Sequence, residues 1–123
     1  MRPGIVIVDD DPSFLATVRV LLEAEGFAVV GEALTGLDGV AVATRLDPDI
    51  VLVDVNLPDI DGFEVVARLA GRDGAPPVVL TSSRSATDFG NLIDASPARA
   101  YIMKADITGQ ALAGFLRGGA ATT

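Results

Sequence analysis

Five short apolar runs, each closed by a polar residue or a glycine, narrow what this chain can fold into. They are Ile5 to Val8, Phe27 to Val30, Ile50 to Val53, Val78 to Leu80 and a weaker one, Ala100 to Met103. Val and Ile dominate the first four and turn-forming residues bound them, the pattern of buried strands. Segments of helical character separate successive runs. Strands alternating with helices imply a parallel sheet covered on both faces, because a parallel neighbour is reached only by a crossover.

The helices can be read one by one. Asp11-Pro12 has the form of an N-cap followed by proline at the first helical position, and Phe14, Leu15, Val18, Leu21 and Leu22 then fall on one stripe until Gly26. A second helix is expected over 37–46, stopped by Asp47-Pro48; a third over 62–70, burying Val66 and Leu69; a fifth from about Thr108 to Arg117. The fourth, near 87–95, carries Gly90 in its interior and Pro97 soon after, so it is expected to be short and mobile. About five βα units within 123 residues, joined by right-handed crossovers, give an α/β, flavodoxin-like, doubly wound five-stranded parallel sheet of order 2-1-3-4-5. Half of the residues are hydrophobic, enough for one packed core and one domain, expected over 1–117, with 118–123 as a flexible tail.

Composition removes several chemistries. There is no Cys and no His, hence no disulfide framework, no thiolate or imidazole metal site and no imidazole base. A net charge of −8 with a single lysine, Lys104, does not make a nucleic-acid surface. No apolar run approaches the ~18 residues of a membrane span, and the N-terminus lacks the form of a signal peptide, so the expected location is the cytoplasm.

In an open parallel sheet the site forms beyond the carboxyl ends of the strands. Asp9, Asp10 and Asp11 follow the first run, Asp54 the third, Thr81 and Ser82 the fourth, and Lys104 the fifth. Asp11, next to Pro12, is read as a helix cap. Asp9, Asp10 and Asp54 should converge, and two like charges ~5 Å apart at an effective dielectric of ~20 repel by about 3 kcal/mol. Such a cluster calls for a cation, and oxygen-only ligands favour a hard one such as Mg2+, with Asp10 and Asp54 the best direct ligands. Carboxylates, a lysine and a hydroxyl on one rim make a phosphoryl-binding constellation.

These residues resemble the receiver domain of two-component response regulators, over essentially all of 4–117. Ile7-Val8-Asp9-Asp10-Asp11-Pro12 is similar to the family's acidic pair, carried by Asp9 and Asp10; the stretch from Asp49 through Asp54 and Pro58 to Gly62 to its phosphoacceptor block; Leu80-Thr81-Ser82 and Tyr101-Ile102-Met103-Lys104 to its switch threonine, aromatic and lysine. The resemblance implies that Asp54 accepts a phosphoryl group from a phosphohistidine on a sensor histidine kinase or histidine phosphotransfer protein. Asp10, Asp54 and the carbonyl of Asn56 would hold Mg2+, with Asp9 acting through water. Lys104 and Thr81 would bind the phosphoryl oxygens, helped by backbone N–H groups near Asn56 and Ser82. Thr81 would then move inward with Tyr101 following, altering a face built by the fourth helix, fifth strand and fifth helix for an output partner the sequence does not name. One departure stands out: Ala105 follows the lysine where the family commonly has a cis proline, so a trans bond and a differently shaped loop are expected.

The enzyme alternative is a small haloacid-dehalogenase-type phosphatase using Asp9 and Asp11 as its Asp-x-Asp pair. Pro12 stands where that class has Thr or Val, and no acidic pair follows Lys104. A flavodoxin-like electron carrier would need a hydroxyl- and glycine-rich phosphate loop after the first strand, where three aspartates would repel the phosphate instead.

Overall fold

The structure is a computed structural model that describes residues 2–116. Five strands, β1 (Gly4–Val8), β2 (Ala28–Ala33), β3 (Ile50–Asp54), β4 (Val78–Ser82) and β5 (Ala100–Met103), form one parallel sheet of order β2-β1-β3-β4-β5. The expected topology is therefore the observed one. Three long helices, α1 (Pro12–Ala24), α2 (Gly36–Leu46) and α3 (Gly62–Ala70), connect the first four strands.

Strand alternation sorts the core into two halves. Ile5, Ile7, Ile50, Leu52 and Val79 face α1, packing on Leu15, Val18 and Leu22. Val6, Val8, Val51, Val53, Val78 and Leu80 face α2 and α3, packing on Val42, Ala43, Val65, Val66 and Leu69. Nearly every residue of the central strands is buried, which is why they read as continuous apolar runs. Helix ends follow their local chemistry. Asp11, Thr35 and Asp61 each cap the helix that follows by accepting from a backbone N–H, and α2 stops where Asp47 turns left-handed at φ 47°.

Boundaries differ from the sequence reading where packing decides them. The second strand starts after Phe27 and continues to Ala33, beyond its apolar run; Val30 is passed over in pairing, because Ile5 faces Val29 and Val6 faces Gly31. This β-bulge leaves Val30 exposed on the sheet edge. The strand β4 runs through Thr81 and Ser82, placing both inside the sheet.

The fourth helix is not continuous. Residues 86–89 form a 3-10 turn, Gly90 takes φ +59°, which L-residues adopt rarely, and only Leu92–Ala95 (α4) is α-helical. The fifth helix is also shorter than expected, Gly109–Ala113 (α5), after a 3-10 turn over Lys104–Asp106. Its expected end at Arg117 and the tail 118–123 lie outside the described residues. No cis peptide bond occurs among the described residues, in keeping with Ala105 after the lysine.

Candidate functional site

The carboxyl ends of β1, β3, β4 and β5 bring the expected residues together. One carboxylate oxygen from each of Asp9, Asp10 and Asp54 lies within 4.8 Å of the others. Asp9 is fully buried and Asp54 nearly so, whereas Asp10 is exposed. Asp9 is held twice: its Oδ1 accepts from the Asp11 N–H at 2.9 Å, and its Oδ2 lies 2.7 Å from Lys104 Nζ. The second contact is an ion pair by distance, although its angles miss those of an ordinary hydrogen bond.

Lys104 reaches back over the sheet from the first residue after β5. Its ammonium is 3.7 Å from Asp54 Oδ2, so one cation faces two buried carboxylates. Burial works against that ammonium, but the close contact with Asp9 and the charges of Asp54, Asp9 and Asp11 outweigh it and hold the lysine above its usual pKa. Asp54 moves the opposite way for a carboxylate. Burial first, and Asp9 second, push its pKa up to about 6 against the opposing pull of Lys104 and of the Asn56 N–H.

Thr81 stands beside Asp54 in the β3–β4 register. Its hydroxyl oxygen is buried and has no hydrogen-bond partner, which costs on the order of 1–3 kcal/mol unless something pairs with it. Ser82, equally buried, accepts from the Arg84 N–H at 3.1 Å and shapes the start of the following loop.

Three carboxylates against one lysine leave a formal charge of −2 on the rim. Hard oxygen donors with that charge fit a divalent cation of the Mg2+ kind, so the residues present match the group the sequence calls for.

Tyr101 lies on the other face of the sheet from Thr81 by strand alternation, opposite Leu80 and packed against the α2/α3 side of the core. Its hydroxyl donates to the Arg84 carbonyl. Burial, then Asp88 and Asp54, raise its pKa, with a Ser82 hydrogen bond opposing. The ring continues into a row of tilted and edge-to-face aromatics, 5.8 Å from Phe89, which lies 6.0 Å from Phe63.

Sequence reasoning missed three features. Phe14, assigned to the core stripe of α1, is half-buried with Lys104 Nζ 4.1 Å from its ring centroid. Asp59 accepts from Gly36 N and Leu37 N at 2.7 and 2.9 Å, tying the loop after β3 to the first turn of α2. Phe89 lay in a segment read as weak helix. The only available signals were an aromatic on the lysine's side of α1 and an aspartate after Pro58.

The phosphatase alternative finds no support. The Asp11 carboxylate is exposed and engaged with the N–H and hydroxyl of Ser13 at 3.0 and 2.7 Å, which lowers its pKa. Asp9 is committed to Lys104.

The response regulator receiver domain model matches residues 5–112. The DNA-binding response regulator MtrA of Mycolicibacterium smegmatis is 37% identical over 106 residues, 85% of this chain and 45% of that protein. The transcriptional regulatory protein KdpE of Mycobacterium tuberculosis is 33% identical over 100 residues, 81% of this chain and 43% of that protein. The chain thus spans less than half the length of these curated relatives. Among solved structures, a LuxR-family two-component response regulator from an Aurantimonas species superposes with a TM-score of 0.78 at 28% identity, covering 85% of this chain and 75% of that one.

Proposed function

The chain belongs to the response regulator receiver domain family, and from that premise we propose that Asp54 is its phosphoacceptor and that a phosphohistidine of a sensor histidine kinase or histidine phosphotransfer protein is the donor. A carboxylate oxygen of Asp54 attacks phosphorus, the new P–O bond forms, and the P–N bond to the imidazole breaks with its electron pair leaving on nitrogen. Near pH 7, above a pKa of about 6, most Asp54 is ionised and able to attack. The carrying observation is the pairing of an ammonium 3.7 Å from Asp54 with an unpartnered buried hydroxyl beside it, two donors that phosphoryl oxygens would satisfy.

Asp10, Asp54 and the Asn56 carbonyl would hold Mg2+, with Asp9 acting through water. When bound, the ion offsets the carboxylate charge and that developing on the phosphoryl oxygens. Lys104 and Thr81 receive the phosphoryl oxygens, and backbone N–H groups near Asn56 and Ser82 complete the cradle. These groups would also assist the domain's own phosphorylation and dephosphorylation.

The phosphoryl group carries a charge of about −1.5 to −2 where the carboxylate carried −1, and this change is read through β4. Thr81 and Tyr101 occupy opposite faces, so the message passes through the backbone that joins Thr81 to Ser82 and Arg84, whose carbonyl holds the Tyr101 hydroxyl. The face that changes is built by α4, β5 and α5. It would present a surface to an output domain or protein, and the cytoplasm is the compartment that suits the reaction. Among the described residues no helix is long and apolar enough to cross a membrane.

Acetyl phosphate with Mg2+ followed by borohydride trapping and mass spectrometry tests this reading. The expected result is label on Asp54 that requires the ion. Label that survives Asp54→Asn and maps to Asp9 would overturn it.

A further inference from the structure

We propose that Phe14 is a positioning residue for the phosphoryl step: its ring face holds the Lys104 ammonium beside Asp54 independently of the carboxylates. This rests on the receiver reading of Asp54 and adds to it a residue outside the acidic and switch sets. Lys104 Nζ is 4.1 Å from the Phe14 centroid, 2.7 Å from Asp9 Oδ2 and 3.7 Å from Asp54 Oδ2. The side chain is one-fifth exposed, so the ring replaces part of the water an ammonium would otherwise keep.

The carboxylates alone are an unreliable anchor for this cation. Asp9, the nearer one, belongs to the cluster that fits a divalent ion, and Asp54 changes chemically when it is phosphorylated. Each event weakens or redirects the attraction that places the ammonium. A ring quadrupole is unaffected by either, because it carries no ionisable group and no ligand atom. Phe14 therefore keeps the ammonium at the rim through both. Its half-buried place on α1, packed against the α1-side core, fixes the ring while leaving one face to the site.

Since Lys104 is the chain's only lysine, its side-chain NMR signals need no residue-specific labelling. Ring current should place the Lys104 Hε protons upfield of an ordinary lysine, with and without Mg2+, and Phe14→Leu should remove that displacement. Acetyl phosphate labelling of Asp54 at saturating Mg2+ should slow between about twofold and thirtyfold in Phe14→Leu and recover in Phe14→Tyr, while the Mg2+ dissociation constant from calorimetry stays within about twofold. Mono-, di- and trifluorophenylalanine placed at position 14 should slow labelling stepwise, because fluorine drains the ring face without changing its packing.

Several results would overturn the inference. Unchanged labelling in Phe14→Leu, a loss with leucine that fluorination does not reproduce, or a parallel loss of Mg2+ affinity would each leave Phe14 a packing residue and the receiver reading intact. A wild-type chain that acetyl phosphate does not label at Asp54 would overturn both.

Discussion

Gly62 is the position where one added methyl group should disturb the phosphoacceptor strand most directly. It is the first residue of α3, its N–H donates to the Val55 carbonyl at 2.8 Å, and its Cα lies against the end of β3. A Cβ there would stand 2.6 Å from the Asp54 carbonyl oxygen, 2.9 Å from Val55 Cα and 3.1 Å from Asp54 C, all backbone atoms that cannot rotate away. Relief requires the end of β3 or the start of α3 to shift by several tenths of an ångström. Overpacking of this kind costs about 1–3 kcal/mol, offset by about 0.4–1 kcal/mol from the stiffer unfolded chain. Two contacts under 3.0 Å with backbone put the cost in the upper half of that range, so the net loss in Gly62→Ala is roughly 1–2 kcal/mol. With a urea m-value of about 2 kcal/mol/M, the midpoint should fall by about 0.5–1 M. Gly71→Ala is the matched control, since that site has φ −76° and nothing within 4 Å, and it should be neutral or slightly stabilising. Urea unfolding followed by far-UV circular dichroism reads both. If Gly62→Ala unfolds within about 0.2 M of the wild type, the steric argument fails and the close approach of α3 to Asp54 is not rigid.

Three further outcomes can be checked independently. Lys104→Ala should keep its Mg2+ affinity yet lose the phosphorylation-dependent amide NMR shifts in α4, β5 and α5; normal switching would remove Lys104 from the role given to it. For metal-free protein in chelator, a carboxylate whose folded pKa is raised to about 6 makes the fold less stable as pH rises from about 4 through 6, since the folded state binds the extra proton there. Asp54→Asn should therefore unfold at higher urea than the wild type at pH 7.5, with the difference shrinking below pH 6; a wild type more stable than the variant at pH 7.5 would refute the sign. Tyr101 is the chain's only tyrosine beside no tryptophan, so beryllofluoride with Mg2+ should reduce acrylamide quenching of its emission, and unchanged quenching with binding confirmed would make the ring purely structural.

The sheet was legible because its central strands are buried on both faces and so read as unbroken Val and Ile runs. The site was legible for a related reason: in a parallel sheet, residues far apart in sequence but each at or just beyond the carboxyl end of a strand must meet, and Asp9, Asp54, Thr81 and Lys104 do. Asp59 and Phe14 were not legible, because their partners, the Gly36 and Leu37 amides and the Lys104 ammonium, are set by how α2 and β5 dock rather than by spacing. The fourth helix is short, as its Gly90 and Pro97 imply, but it is not continuous. Gly90 was seen as a weakness inside a helix, but its positive φ ends one turn before another begins, so no helix runs through it.

The skipped residue in β2 bears on how crowded molecules behave. The strand β2 is an open edge of the sheet, and a flat edge rich in valine is a template on which a second copy could add its own strand. At Val30 the pairing period breaks, so an incoming strand laid along β2 would fall out of step midway and turn its side chains to the wrong face. Repulsion between copies of net charge −8 works in the same direction. A half-apolar chain thereby carries, on this edge, two features that oppose strand-to-strand addition at high concentration.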